Sequence, residues 1–143
     1  MTYVEEAVRD FQEHIGETDE LLHLWKCIIA FEDVEFITSG RGRNHMGAMA
    51  FTYEISRVPG SGGKHYDGAD VPGYGNEMWI FTADGMKPKS ISRSTVDLGY
   101  KKALELMALD GFVKGPRALG IPGARSYLYP IFVRFGIIRR TNQ

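Results

Sequence analysis

The sequence predicts a single α+β domain: an N-terminal helical hairpin, a small antiparallel sheet of about three strands, one long helix and a basic C-terminal helical element. Three observations predict it. Apolar residues recur at helical spacing in residues 3–31, β-branched and aromatic residues dominate residues 34–82, and helical spacing returns after them. With 143 residues, 43% hydrophobic and 24% charged, the chain has the size and composition of one globular domain.

The first two helices are predicted from caps and apolar spacing. Thr2 begins a capping-box pattern, and the apolar residues behind it predict a helix over about 3–15. Gly16 ends that helix. Thr18, followed by two acids, predicts the N-terminus of a second helix that runs to about Phe31. The two helices form the hairpin.

The middle of the chain has the residue composition typical of β-strands. Residues 34–38, 48–56 and 77–82 are rich in β-branched and aromatic side chains, so we expect them to be strands. Residues 58–75 form an 18-residue connection with six glycines and two prolines. Such a long connection is predicted to be a flexible loop that carries function or lacks order.

A long helix is predicted over about 93–109. Ser92 or Ser94 is its expected N-cap, and Gly111 stands where a left-handed C-terminal residue is favoured. Gly99 weakens a helix relative to alanine, so we expect another backbone to cross closely there.

The C-terminal element is predicted as a short helical turn from Pro116 and a final apolar helix that ends at Gly136. A proline inside a helix removes a backbone hydrogen bond. We therefore place the start of that helix at Tyr129, with Pro130 in the first turn.

Composition also limits the chemistry. Cys27 is the lone cysteine, the N-terminal residues are charged throughout, and no apolar run reaches the length of a membrane span, so we expect a cytoplasmic protein that does not enter membranes. The four histidines show no metal-binding pattern, and His14 and His23 fall on different predicted helices. We expect no cofactor, no metal and no catalytic residues, and a non-catalytic role is favoured.

Charge is distributed unevenly along the chain. Residues 1–72 hold six Lys and Arg against thirteen Asp and Glu, whereas residues 73–143 hold eleven against five. After Asp110 no acid appears in 33 residues. A segment of this kind favours phosphates or an acidic partner if it folds onto one face.

Residues 117–138 resemble the helix-turn-helix pattern of DNA-binding proteins. In that pattern Leu119 and Ile121 pack the angle between two helices, and Gly120 supplies the turn. The resemblance implies that Arg125 and Tyr127, with the serine between them, lie at the groove-facing start of the second helix.

These observations predict a non-catalytic nucleic-acid-binding protein, with DNA the favoured ligand. Selective contacts are expected from Arg93, Arg125 and Tyr127. The residues expected to contact phosphates are Lys87, Lys89, Lys101, Lys102, Arg134, Arg139 and Arg140.

Two alternatives stay open. The acidic N-terminal half could serve a protein-interaction module, an adaptor or inhibitor that binds a basic partner or a second copy of this chain. The protein could also bind a small phosphorylated ligand in the loops 40–45 and 58–75, where Arg41 and Arg43 stand in a glycine-rich setting suited to a phosphate.

Overall fold

The structure is a computed structural model that describes residues 1–38, 48–59, 66 and 68–141. In these residues the chain forms four α-helices and a four-stranded antiparallel sheet, which confirms the α+β class with four strands rather than about three. The helices are α1 (Tyr3–Glu13), α2 (Glu20–Ala30), α3 (Arg93–Asp110) and α4 (Arg125–Arg134). The strands are β1 (Phe36–Ile37), β2 (Ala50–Ile55), β3 (Glu77–Thr82) and β4 (Lys89–Ser92), and a 3₁₀ turn spans Pro116–Leu119. No helix in the described ranges is long and apolar enough to cross a membrane.

The chain divides into two compact units. The first unit comprises Met1–Val34, Thr52–Ile80 and Pro88–Ser94, and the second comprises Glu35–Phe51, Phe81–Lys87 and Thr95–Gln143. The first unit therefore contains the helical hairpin, and the second contains α4 and most of α3.

The helical hairpin follows the predicted caps with small shifts in its bounds. The Thr2 hydroxyl accepts the Glu5 amide at 3.2 Å, which is the N-cap bond of the predicted capping box. The Glu5 carboxylate accepts from the same hydroxyl at 2.9 Å. Helix α1 ends at Glu13, and Gly16 turns the chain with φ +89°. The N-cap position of helix α2 is Asp19 rather than Thr18, and its side chain makes no capping hydrogen bond. It buries Leu24, Trp25, Cys27 and Ile28.

The strands follow one another in the order β1-β2-β3-β4, so the sheet is a meander. Strand β3 has its predicted bounds, and β4 pairs antiparallel with it in a register that places Met78 opposite Ile91. Strand β4 was not predicted from the sequence, because three of its four residues are lysine or serine. Only Ile91 is buried, and so short a segment shows too little alternation to stand out from the start of a helix.

In the second unit, α3 crosses α4 closely at Gly99. A Cβ on Gly99 would lie 3.0 Å from Leu128 Cδ1 and 3.4 Å from Phe132 Cε2, both on α4. The predicted close approach therefore exists, although side chains rather than a backbone make it. A hydrogen atom in place of a side chain lets the two helices pack at this point.

The predicted start of the last helix was wrong. Helix α4 begins at Arg125, and the Leu128 amide already donates to the Ala124 carbonyl at 3.0 Å. Pro130 lies inside the helix and is buried. Its missing N–H is tolerated because Leu128, Tyr129, Ile131 and Phe132 are all buried around it, and that apolar burial outweighs one lost hydrogen bond.

Candidate functional site

Arg93, the residue expected to make a selective contact at the start of α3, is completely buried. Its Nη1 donates to the Ala69 carbonyl at 2.8 Å and to Asn76 Oδ1 at 3.0 Å. The guanidinium also lies 4.1 Å from the centre of the Tyr66 ring and 5.4 Å from that of Trp25. A buried guanidinium has no surface for a nucleic acid to contact, so Arg93 serves the core of the first unit.

The described part of the glycine-rich connection is fixed by the same core. The Trp25 indole donates to the Gly75 carbonyl at 3.2 Å, and the Gly75 amide donates to the Ser56 carbonyl at 2.7 Å. Together with the Arg93 bond to Ala69, these contacts hold residues 69–76 against the hairpin and the sheet within the first unit. Residues 60–65 and 67 lie outside the described ranges.

The helix-turn-helix resemblance finds little support in the second unit. Its first element is a single 3₁₀ turn at Pro116–Leu119, too short to act as a supporting helix. Leu119 is buried as expected, and Gly120 makes the turn with φ +77°. However, the middle of α4 is buried from Leu128 to Phe132. A recognition helix needs an exposed face to enter the major groove, and α4 instead forms part of the core.

Arg125 and Tyr127 are half-buried at the start of α4. Arg125 Nη1 lies 3.5 Å from the Gly120 carbonyl, and the Tyr127 ring packs edge-on against Phe51 with centres 5.1 Å apart. Burial raises the pKa of the Tyr127 phenol. Both side chains are therefore engaged within the second unit, and only part of each faces solvent.

The cations expected to contact phosphates are exposed: Lys87, Lys89, Lys101, Lys102, Arg134, Arg139 and Arg140. Ion pairs between described residues join Arg9 to Glu13 and Arg57 to Glu32, and both of these arginines belong to the first unit. The Arg140 guanidinium also lies 5.8 Å from the centre of the Tyr129 ring. These side chains keep the hydrated, accessible charge that a phosphate contact requires.

The arginines of α4 do not share one face of that helix. Arg125 and Arg134 stand at opposite ends of α4. At about 100° and 1.5 Å per residue, nine residues separate them by roughly 180° around the helix and about 13 Å along it. Lys101 and Lys102, in contrast, are adjacent on α3 and both exposed. A continuous cationic surface therefore cannot follow α4, and the lysine pair on α3 is the better centre for one.

The charge asymmetry of the sequence persists in the two units. By sequence, the first unit holds six Lys and Arg against thirteen Asp and Glu, a net charge of −7. The second unit holds eleven against five, a net charge of +6. The first unit thus carries an excess of acids, and the second unit carries an excess of bases. The predicted phosphate loop, with Arg41 and Arg43, falls outside the described residues.

The structure brings together a histidine–carboxylate cluster that the sequence analysis did not predict, at the turn between α1 and α2. The His14 and His23 rings stack in parallel, with centres 3.5 Å apart and planes 7° from parallel. His23 Nδ1 lies 2.7 Å from Asp10 Oδ2, and His23 Nε2 lies 3.1 Å from Asp19 Oδ2. In the described residues, two overlapping groups have their metal-ligating atoms within 4.8 Å of one another: Asp10, His14 and His23, and His14, Glu17 and Asp19.

Both rings of the cluster have the same orientation. His14 Nδ1 donates to the Asp10 backbone carbonyl at 2.7 Å, which leaves His14 Nε2 on the side of Glu17, at 3.8 Å from its carboxylate. The same bond to the Asp10 carbonyl is the main cause of the raised pKa of His14, and the nearby carboxylates add to it. The Nδ1 edges of both rings thus face Asp10, and the Nε2 edges face the turn.

The cluster escaped the sequence analysis because its residues come from two helices and the turn between them. The available signal was a repeated Asp-x₃-His spacing, Asp10 with His14 and Asp19 with His23. Residues four apart share a helix face, so each pair is local, whereas the contact between the pairs depends on how the hairpin closes. A motif search within a single helix cannot find such a site.

Comparisons with protein-family models, curated proteins and solved structures found no match for this chain.

Proposed function

We propose that the protein is a non-catalytic nucleic-acid-binding protein whose second unit contacts the phosphate backbone without reading base sequence. The observation that carries this proposal is the sorting of charge, with a net +6 in the second unit against −7 in the first. A cationic body attracts polyanions over a Debye length and releases their counterions on contact.

The exposed lysine pair supports backbone contact in particular. Lys101 and Lys102 are exposed on α3, and among the described residues neither forms an ion pair. Lysine binds phosphate as a mobile point charge, and such contacts position a protein without selecting bases. Arg139 and Arg140 add two exposed guanidiniums in the same unit.

The burial of Arg93 and of the middle of α4 argues against base readout. Selective recognition needs side chains that reach base edges from an exposed helix or strand. Of the three side chains predicted to make selective contacts, Arg93 is fully buried, and Arg125 and Tyr127 are half-buried. We therefore propose electrostatic contact with the phosphate backbone and not base recognition by a helix-turn-helix.

The test is a fluorescence-anisotropy titration of the protein against a short labelled duplex DNA and a single-stranded RNA at two salt concentrations. Binding should weaken steeply with salt, because each neutralised phosphate contributes about 0.9 to the slope of log K against log salt on duplex DNA. Duplexes of unrelated sequence should bind equally. Absence of binding to either nucleic acid at low salt would contradict the proposal.

A pair of charge-matched double variants locates the contact. Lys101→Gln with Lys102→Gln removes two positive charges from α3, and should weaken binding several-fold and reduce the salt slope. Arg9→Gln with Lys26→Gln removes two exposed charges from the first unit and should leave affinity nearly unchanged. Equal weakening by both double variants would show that only net charge matters and would reject the second unit as the binding surface.

A second candidate function, a protein-interaction module, follows from the −7 of the first unit. An acidic body favours a basic partner or the basic unit of another copy. Size-exclusion chromatography over a range of protein and salt concentrations tests the second case. Self-association that added salt reverses would favour binding between copies of this chain. A monomer at every concentration would contradict it.

A further inference from the structure

The turn between α1 and α2 offers two imidazole rings and two carboxylates on one side. His23 Nε2 is 3.1 Å from Asp19 Oδ2, and His14 Nε2 is 3.8 Å from Glu17 Oε2. Two ligand atoms that share a tetrahedral zinc ion, each about 2.0–2.1 Å from it, lie roughly 3.4 Å apart. The ligand atoms of His14, Glu17 and Asp19 also lie within 4.8 Å of one another, so rotation of these side chains and of the His23 ring can bring the four groups around one ion.

From this geometry we propose that His14 and His23 bind a divalent transition-metal ion through Nε2, with the carboxylates of Asp19 and Glu17 completing the ligand set. Imidazole and carboxylate together suit Zn²⁺ and the neighbouring first-row ions. The site lies wholly within the first unit and is independent of the nucleic-acid proposal.

Asp10 occupies the position of an outer-shell residue. Its backbone carbonyl accepts from His14 Nδ1, and its carboxylate lies 2.7 Å from His23 Nδ1. Histidines that ligate metals through one ring nitrogen usually donate the other N–H to a carbonyl or a carboxylate, which fixes the tautomer and the ring orientation. One residue thus orients both rings with their Nε2 atoms toward the same side.

The backbone position of Asp19 adds to this indication. It is the N-cap residue of α2, yet its side chain makes no capping hydrogen bond. An aspartate at this position ordinarily accepts a backbone amide of the first helical turn. Here the carboxylate is directed to His23 Nε2 instead. The helix forgoes a cap, and the carboxylate is placed in the cluster.

Binding changes the cluster in a defined way. The ion takes the place of the proton at each Nε2, and any such proton is released to solvent. A ligand nitrogen directs its lone pair in the plane of its ring, so the two rings must splay from the 7° stack to reach one ion. The bound ion then joins the end of α1 to the start of α2, and the unfolding midpoint rises with ion concentration.

The test is calorimetric titration of the full chain, stripped with a chelator, with Zn²⁺. We expect one ion per chain, a loss of affinity of at least tenfold in each of His14→Gln, His23→Gln and Asp19→Asn, and a loss of roughly 10–100-fold in Asp10→Asn. Glu13→Gln is the matched control, because it removes one exposed carboxylate from the end of α1 and should leave affinity unchanged.

Two readouts on the wild-type protein avoid dependence on how the variants fold. Co²⁺ should give the intense visible absorption of a low-symmetry, four-coordinate site. Zn²⁺ should shift the ring NMR signals of two histidines and leave those of the other two in place. Failure of the wild type to bind Zn²⁺, or binding that survives both histidine substitutions in folded variants, would overturn the proposal.

Discussion

Two regions of α3 illustrate opposite uses of positively charged side chains. Arg93, at the first position of the helix, is fully enclosed by the Trp25 and Tyr66 rings and by backbone carbonyl and amide acceptors. Lys101 and Lys102, two turns later, are exposed. A guanidinium buried in this way contributes to stability through its partners, whereas an exposed ammonium contributes little to stability and remains available to an external anion. Burial, rather than position along the helix, separates these two roles.

The largest loss of stability is expected at Arg93, and its absence would contradict this comparison. Arg93→Met keeps most of the side-chain length but leaves the Ala69 carbonyl and Asn76 Oδ1 without their donor. Buried acceptors that lose a partner cost about 1–3 kcal/mol each, so we expect the free energy of unfolding to fall by roughly 3 kcal/mol. Urea denaturation followed by circular dichroism measures it. A loss below about 1 kcal/mol would mean that Arg93 does not pin the core.

Tyr129 tests an intermediate case, because it joins the buried core to an exposed cation. Its hydroxyl donates to the Val113 carbonyl, and its ring lies beneath the Arg140 guanidinium. Tyr129→Phe removes only the hydrogen bond, and should lower the free energy of unfolding by about 1 kcal/mol. Arg140→Gln removes only the cation, and should change it by about 0.5 kcal/mol or less. If thermal denaturation showed a larger loss of stability in Arg140→Gln than in Tyr129→Phe, these expectations would be contradicted.

The smallest effect on stability is expected at the lysine pair. Lys101→Gln with Lys102→Gln should change the free energy of unfolding by no more than about 0.5 kcal/mol, because exposed substitutions away from specific contacts are nearly neutral. The same variant should weaken duplex binding several-fold. If stability fell and binding did not, the lysines would belong with Arg93 as structural residues.

Most of the fold followed from the sequence because its signals were local. The N-cap at Thr2, the apolar spacing of the hairpin and the alternation of β3 each lie within one element, and the structure keeps them with shifts of a few residues. The failures came from tertiary context. Strand β4 forms only because β3 offers it a partner, and Pro130 stands inside α4 because the surrounding core compensates for its missing donor.

The candidate sites were harder to predict for the same reason. Arg93 has the sequence neighbourhood of a phosphate contact, and only the positions of Trp25 and Asn76, distant along the chain, show that it is buried. The His14–His23 stack likewise depends on the closing of the hairpin around Gly16. Net charge by segment, in contrast, was readable from composition, because it requires no knowledge of contacts.

The two outer strands of the meander affect how the protein meets other polypeptides. Strand β1 has only two residues, and β4 follows Pro88 and opens with the exposed Lys89. Short edges, prolines and outward lysines are the features by which natural sheets resist pairing with foreign strands. In the described part of the chain, β1 and β4 are the edges of the sheet. Fibrillar assembly through this sheet is therefore disfavoured. A peptide that binds by adding its own strand to a sheet would bind weakly at either edge.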